Sequence, residues 1–132
     1  MTTRPSIFKR LMRPLVNNDV RTGDSGWYPE LEPHRYEADR EAVLEAILAV
    51  IEARDRWEVV DVDRREGVVE AEVRSRIVGF VDDLTVEVEE EGEKCVVGAR
   101  SRSRVGKGDL GQNARTIREF LDLLDERLGG AA

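Results

Sequence analysis

The residues best suited to chemistry in this sequence are three arginines that alternate with small polar residues near its end. Arg100, Arg102 and Arg104 are separated by Ser101 and Ser103. Alternation with a period of two is typical of a β-strand, whose successive side chains point to opposite faces. Because guanidinium groups bind carboxylates and phosphates through paired hydrogen bonds, this stretch indicates a binding site for an anion.

Candidate catalytic groups are few and poorly placed. Asp82 and Asp83 are adjacent, so on a strand they point to opposite faces and cannot act as a carboxylate pair. His34 is the only histidine, no orienting partner can be assigned to it, and we expect it on the surface. One histidine and one cysteine make a poor zinc site. We therefore predict a non-catalytic protein with no metal site and no cofactor.

Charge is distributed unevenly along the chain. The 132 residues carry a formal net charge of −7, yet residues 1–21 hold five basic residues against one acidic residue. An acidic body argues against nucleic-acid binding, which needs a basic surface around the phosphates. Residues 6–16 have the pattern of a short basic amphipathic helix, which would touch an anionic membrane surface. The plainer interpretation is a tail that packs on the domain.

Cysteine content and hydropathy indicate the compartment. Cys95 is the only cysteine, so an intramolecular disulfide cannot form. No stretch approaches the roughly 20 apolar residues that a membrane span needs. We therefore expect a soluble, cytoplasmic protein, with peripheral membrane contact through residues 6–16 as the alternative.

Hydrophobic periodicity predicts one α+β domain at residues 27–128, between a basic arm (1–26) and a short tail (129–132). Apolar residues recur at helical spacing in two segments and alternate with polar residues in four. The predicted helices cover residues 40–54 and 110–127, and the predicted strands cover residues 57–63, 68–77, 83–90 and 94–104. We predict a two-layer sandwich, an antiparallel meander sheet of four to five strands covered on one face by two helices.

The last hairpin fixes the register of the sheet if Glu91 and Gly92 are its two turn residues. Counting back from that turn places Asp83 opposite Arg100 on the polar face. The same count puts Cys95 on the apolar face, where we expect a buried and inert thiol. In this register the arginines face solvent and the serines between them face the interior.

Several motifs carry a resemblance to a known family. They are Tyr28–Leu31, Gly79–Asp83, Arg100–Gly106 and Asp109–Asn113. Together they resemble the family designated domain of unknown function 1499, over residues 27–125. The motif positions are Gly79, Phe80, Asp82, Asp83, Gly106, Asp109, Gly111 and Asn113. Lys107 and Gly108 stand where the family pattern has an aromatic residue and a serine. The resemblance implies a shared domain and no particular reaction.

Two functions remain open at this point. The first is an interaction module that binds an acidic partner or an anionic surface through the basic end of the last strand. Its binding residues would be Arg100, Arg102, Arg104, Lys107, Arg115 and Arg118. The alternative is a small-molecule or lipid-binding domain, because Ala71, Ala99, Ser101 and Ser103 are small and would leave room under the helices. A third interpretation makes the arginines a solvated ion-pair ladder with nearby glutamates.

Overall fold

The computed structural model describes residues 19–21, 32–75, 80–103 and 110–129. From residue 40 onwards, strands and helices follow one another in the order predicted from periodicity, and two short strands precede them. They are β1 (Asp19–Arg21), β2 (His34–Tyr36), α1 (Arg40–Glu52), β3 (Trp57–Asp63), β4 (Val68–Arg74), β5 (Val81–Glu91), β6 (Lys94–Ser103) and α2 (Leu110–Leu128). The first predicted helix ends two residues early, and the second predicted strand ends at Arg74 rather than at residue 77.

All of these strands belong to one antiparallel sheet. Its order is β1-β6-β5-β4-β3, and β2 also pairs with β6. Because β2 lies opposite residues 95–97 and β1 opposite residues 100–102, the two short strands share one edge of β6. The strands from β3 to β6 form the predicted meander. The helices pack on one face of this sheet, so the predicted two-layer α+β sandwich is confirmed.

The hydrophobic core lies between the helices and the inward face of the sheet. Asp39 caps α1, since its Oδ1 accepts a hydrogen bond from the amide of Ala42 at 2.8 Å. The apolar stripe of the helix then faces the sheet. Buried core residues include Val43, Leu44, Ile47, Ile51, Val69, Leu84, Val86, Val97, Ile117, Phe120 and Leu121. Burial of Val69, Ala71 and Val73 in β4 and of Leu84, Val86 and Val88 in β5 confirms which face of these two strands points inward.

The register of the last hairpin differs from the prediction by two residues. Glu91 pairs with Lys94, so the turn residues are Gly92 and Glu93. Gly92 has a φ of 63° and takes the first central position of the turn, where only glycine is unstrained. A shift of two residues keeps every side chain on its predicted face, because the strand period is two.

The shift changes the partner of every residue across the hairpin. Asp83 lies opposite Arg102, and Thr85 lies opposite Arg100. The predicted pairing of Asp83 with Arg100 is therefore wrong. Leu84 faces Ser101 on the buried side, as the predicted faces require.

Candidate functional site

The predicted binding residues are divided between two surfaces. Arg100 and Arg102 belong to β6 and line a depression in the outward face of the sheet. Arg115 and Arg118 are exposed residues of α2, on the helical side of the sheet. The predicted site residues outside the described part of the chain are Gly79, Arg104, Gly106, Lys107 and Asp109. Gly111 lies within the first turn of α2.

A cleft of about 760 Å³ opens between α2 and the ends of β3 and β4. Arginines from three parts of the fold line it: the connection after α1, the end of β4 and one face of α2. We call it the arginine cleft, and its arginines are Arg54, Arg56, Arg74, Arg115 and Arg118. The motif residue Asp82 also lines it. The sequence analysis identified Arg115 and Arg118, but it gave no signal that the other three would join them.

Arg54, in the connection after α1, is joined to Glu119 of α2 across this cleft. Its Nη2 donates a hydrogen bond to Glu119 Oε1 at 2.5 Å, and its guanidinium carbon lies 5.8 Å from the ring centre of Trp57. Both partners of the ion pair are about two-fifths exposed, so the pair contributes less than about 1 kcal/mol. The neighbouring Arg56 has a φ of 66°, and its carbonyl accepts from the amide of Arg74 at 2.8 Å. The connection that carries two of the arginines is thereby fixed to the end of β4.

An exposed aromatic side chain lies close to the cleft. Phe80 is 48% exposed, although it precedes β5 directly. Its carbonyl accepts a hydrogen bond from the amide of Ser75 at 3.1 Å, and Ser75 lines the cleft. Within the cleft wall, Trp57 places aromatic surface next to Arg54. Aromatic and arginine side chains are the types enriched at protein interfaces.

The outward face of the sheet holds the other predicted arginines beside acidic residues. Arg102 lies opposite Asp83, which in turn lies opposite Glu72. Arg100 and Glu70 line one shallow depression. This sorting of acidic residues on β4 and β5 beside arginines on β6 favours the interpretation as an ion-pair ladder. The face is not solvated throughout, since Val96 and Glu87 are buried on it.

The serines of the arginine-serine run join α2 to the sheet. Ser101 Oγ donates to Asn113 Oδ1 at 2.6 Å, and Asn113 Nδ2 donates to Ser103 Oγ at 3.0 Å. Ser101 and Asn113 are completely buried. The space above the small inward residues of β6 is thus occupied here by an amide of α2. Asn113, one of the predicted motif positions, therefore joins α2 to β6 through its side-chain amide.

Comparison of the sequence with models of known families identifies the family of this chain. The model of a family described as Protein of unknown function (DUF1499) matches residues 5–124. The chain belongs to the DUF1499 family. The match extends further towards the start than the resemblance over residues 27–125 indicated. No curated protein matches this DUF1499 chain.

The DUF1499 chain also contains a hydrogen-bonded group of His34, Tyr36 and Asp125 that the sequence analysis missed. Asp125 Oδ1 accepts from Tyr36 Oη at 2.6 Å and lies 2.8 Å from His34 Nδ1. The expectation that His34 lacks an orienting partner is therefore wrong, because α2 brings Asp125 to β2 from 91 residues away. Burial, and then the bond to Asp125, raise the pKa of Tyr36 above its ordinary value.

In the part of this DUF1499 protein that the structure describes, the remaining candidate groups show no further site. Cys95 is buried and free, and burial raises the pKa of its thiol, as expected for an inert cysteine. Within the described residues, no group of three or more histidine, cysteine or acidic side chains is suited to hold a metal ion. Neither of the described helices has the length and apolar character required to cross a bilayer.

Proposed function

We propose that this protein is a non-catalytic interaction module that binds an acidic segment of a partner protein in the arginine cleft. One observation supports the proposal above others. Five arginines from three separate parts of the fold line a single cleft, in a chain whose formal net charge is −7. Five carboxylates line the same cleft, those of Asp55, Asp82, Glu119, Asp122 and Glu126. Arginine binds carboxylates through two parallel hydrogen bonds, which gives both affinity and orientation.

The positions of individual arginines divide their roles. Arg54 is held by Glu119, whereas the guanidinium group of Arg74 lies 3.4 Å from Glu72 on the outward face of the sheet. Arg115 and Arg118 are exposed and one helical turn apart, which presents both guanidinium groups on the same side of α2. These two residues are therefore the ones we expect to contact the partner most directly.

The shape of the site favours a polypeptide over a membrane. A concave cleft of this size accepts a chain segment, whereas a flat bilayer surface contacts only its rim. The ring of Trp57 in the cleft wall supplies an apolar anchor beside Arg54. We propose the cytoplasm as the compartment, because the single cysteine is free and buried.

Charge reversal on α2 tests the proposal. The probe is a fluorescein-labelled oligo-glutamate peptide, and binding is measured by fluorescence anisotropy at low ionic strength. Arg115→Glu with Arg118→Glu should weaken binding by about tenfold or more, because two attractive contacts become repulsive. The matched control is Arg65→Glu with Arg127→Glu, which changes net charge equally at exposed residues outside the cleft.

The outcomes separate the proposal from its rivals. Equal weakening by both double variants would mean that only net charge matters, and the cleft would not be the site. Absence of binding to the wild-type protein at low ionic strength would also overturn the proposal. Binding to phosphatidylglycerol vesicles without binding to the peptide would assign the arginines to an anionic surface instead.

A small polar molecule is the second candidate ligand. The cleft volume lies in the range of about 300–1,000 Å³ that is typical of small-molecule pockets, and Trp57 in its wall is half-buried. The charged lining suits a polar ligand better than a lipid chain. Native mass spectrometry of the protein purified from its own host should then show a retained mass. Loss of that mass in the variant with Arg115→Glu and Arg118→Glu would assign the ligand to the cleft.

A further inference from the structure

The charges that α2 contributes to the arginine cleft are sorted by sign along the helix. Arg115 and Arg118 come first, and Asp122 and Glu126 follow one to two turns later. All four side chains are exposed and line the same cleft. Between the two groups lies Glu119, which Arg54 holds. The wall that α2 forms therefore has a basic end and an acidic end, divided by an ion pair.

Contacts among the residues that the structure describes do not explain the acidic end. Neither Asp122 nor Glu126 forms a hydrogen bond or an ion pair with another of the described residues. They stand four residues apart on one helix face, where like charges repel each other. Glu126 also lies in the last turn of α2, where the helix dipole disfavours an anion. Arg118 stands four residues before Asp122 and attracts it by only about 0.2–0.5 kcal/mol, and Glu126 has no such partner four residues away, so helix stability gives little reason for both carboxylates.

We infer that the segment bound in the arginine cleft carries a cationic group beside its acidic one, so that it docks in a fixed orientation. This inference rests on the proposed function. The acidic group binds at Arg115 and Arg118, and the cationic group binds at Asp122 and Glu126. Each half of the ligand then meets a complementary charge, and the opposite orientation meets like charges at both ends.

The spacing of the two ends indicates the size of the ligand. The midpoint of the basic pair and the midpoint of the acidic pair are separated by about 11 Å, at a rise of 1.5 Å per residue. An extended polypeptide covers this distance in about three residues, at roughly 3.3 Å each. A single amino acid is too short to reach both ends. The ligand class is therefore a peptide segment with acidic residues on one side and basic residues on the other.

Two peptides of identical composition test the inference. The block peptide Glu-Glu-Gly-Lys-Lys has its charges sorted, whereas Glu-Lys-Gly-Glu-Lys has them alternating. Both are acetylated and amidated, so that terminal charges do not contribute. The block peptide should bind about three- to tenfold more tightly, measured by titration of backbone amide signals in nuclear magnetic resonance spectra.

A variant of the acidic end completes the test. Asp122→Asn with Glu126→Gln should remove the preference for the block peptide and leave binding of the oligo-glutamate peptide undiminished. The matched control, Glu52→Gln with Glu93→Gln, neutralises two exposed carboxylates outside the cleft and should keep the preference. Equal binding of both mixed peptides to the wild-type protein would overturn the inference while leaving the proposed function intact. Failure of every peptide, oligo-glutamate included, would overturn both.

Discussion

Removal of the amide that joins α2 to β6 should destabilise the fold in a way that a second substitution partly reverses. Asn113 accepts from the hydroxyl of Ser101 and donates to Ser103, at 2.6 and 3.0 Å. Ser101 is completely buried, so no bulk water reaches its hydroxyl. Asn113→Ala therefore leaves a buried donor without its acceptor.

The magnitude follows from these contacts. A stranded buried hydroxyl costs about 2 kcal/mol, and the lost bond to Ser103 costs about 1 kcal/mol more. Asn113→Ala should thus lower the free energy of unfolding by about 3 kcal/mol. Ser101→Ala alone should cost about 1 kcal/mol. In the double variant no hydroxyl is stranded at residue 101, so its cost should be only about 1–2 kcal/mol, less than that of Asn113→Ala.

Urea denaturation followed by circular dichroism measures all four proteins of this cycle. The denaturant slope should be the same in each, which shows that the native and unfolded states are comparable. The decisive comparison is between Asn113→Ala and the double variant. When residue 113 is already alanine, Ser101→Ala should raise the free energy of unfolding. If it lowers stability further, the serine and the asparagine act independently, and the proposed role of this hydrogen-bonded pair is wrong.

Two other predictions concern single residues. The free energy of unfolding should fall as pH rises above about 10, by up to about 1.4 kcal/mol per pH unit, because the folded state raises the pKa of Tyr36 above 10.0. Tyr36→Phe should remove this part of the dependence in alkaline urea titrations, and an unchanged profile would refute it. Gly67→Ala should lower the melting temperature more than Gly92→Ala. Both glycines have positive φ, but only at Gly67 would the new Cβ stand 2.6 Å from the carbonyl oxygen of Val88. Equal melting temperatures would contradict this account.

Periodicity predicted the layers of this fold because burial acts on every residue of a strand or helix. Alternate residues of β4 and β5 are buried, so the pattern was repeated several times along the chain. The register of the last hairpin was not indicated by any pattern that repeats along the chain. It depended on whether Gly92 takes the first or the second position of a two-residue turn, and both choices leave the faces unchanged. The hydrophobic pattern therefore could not predict which residue of β6 lies opposite Asp83.

The candidate site was predicted only in part, for a related reason. Arg115 and Arg118 belong to one helix, so their spacing placed them together. Their meeting with Arg54 and Arg74 depends on how α2 crosses the end of the sheet. The contact between His34 and Asp125 spans 91 residues and has no local signature in the sequence. Contacts of this kind are set by tertiary packing, which no single segment encodes.

The cleft and the serine-asparagine contacts follow from one arrangement of the helices. α1 packs on β3, β4 and β5 and ends at Glu52, whereas α2 packs on β6 and β1. Small residues on β6 let α2 approach closely enough for Asn113 to bond the strand. The ends of β3 and β4 lie beyond the last turn of α1, so the sheet is left uncovered there and the arginine cleft opens beside α2. The contacts of Ser101 and Ser103 with Asn113 thus hold α2 to β6, and the position of α2 determines which of its charges line the cleft.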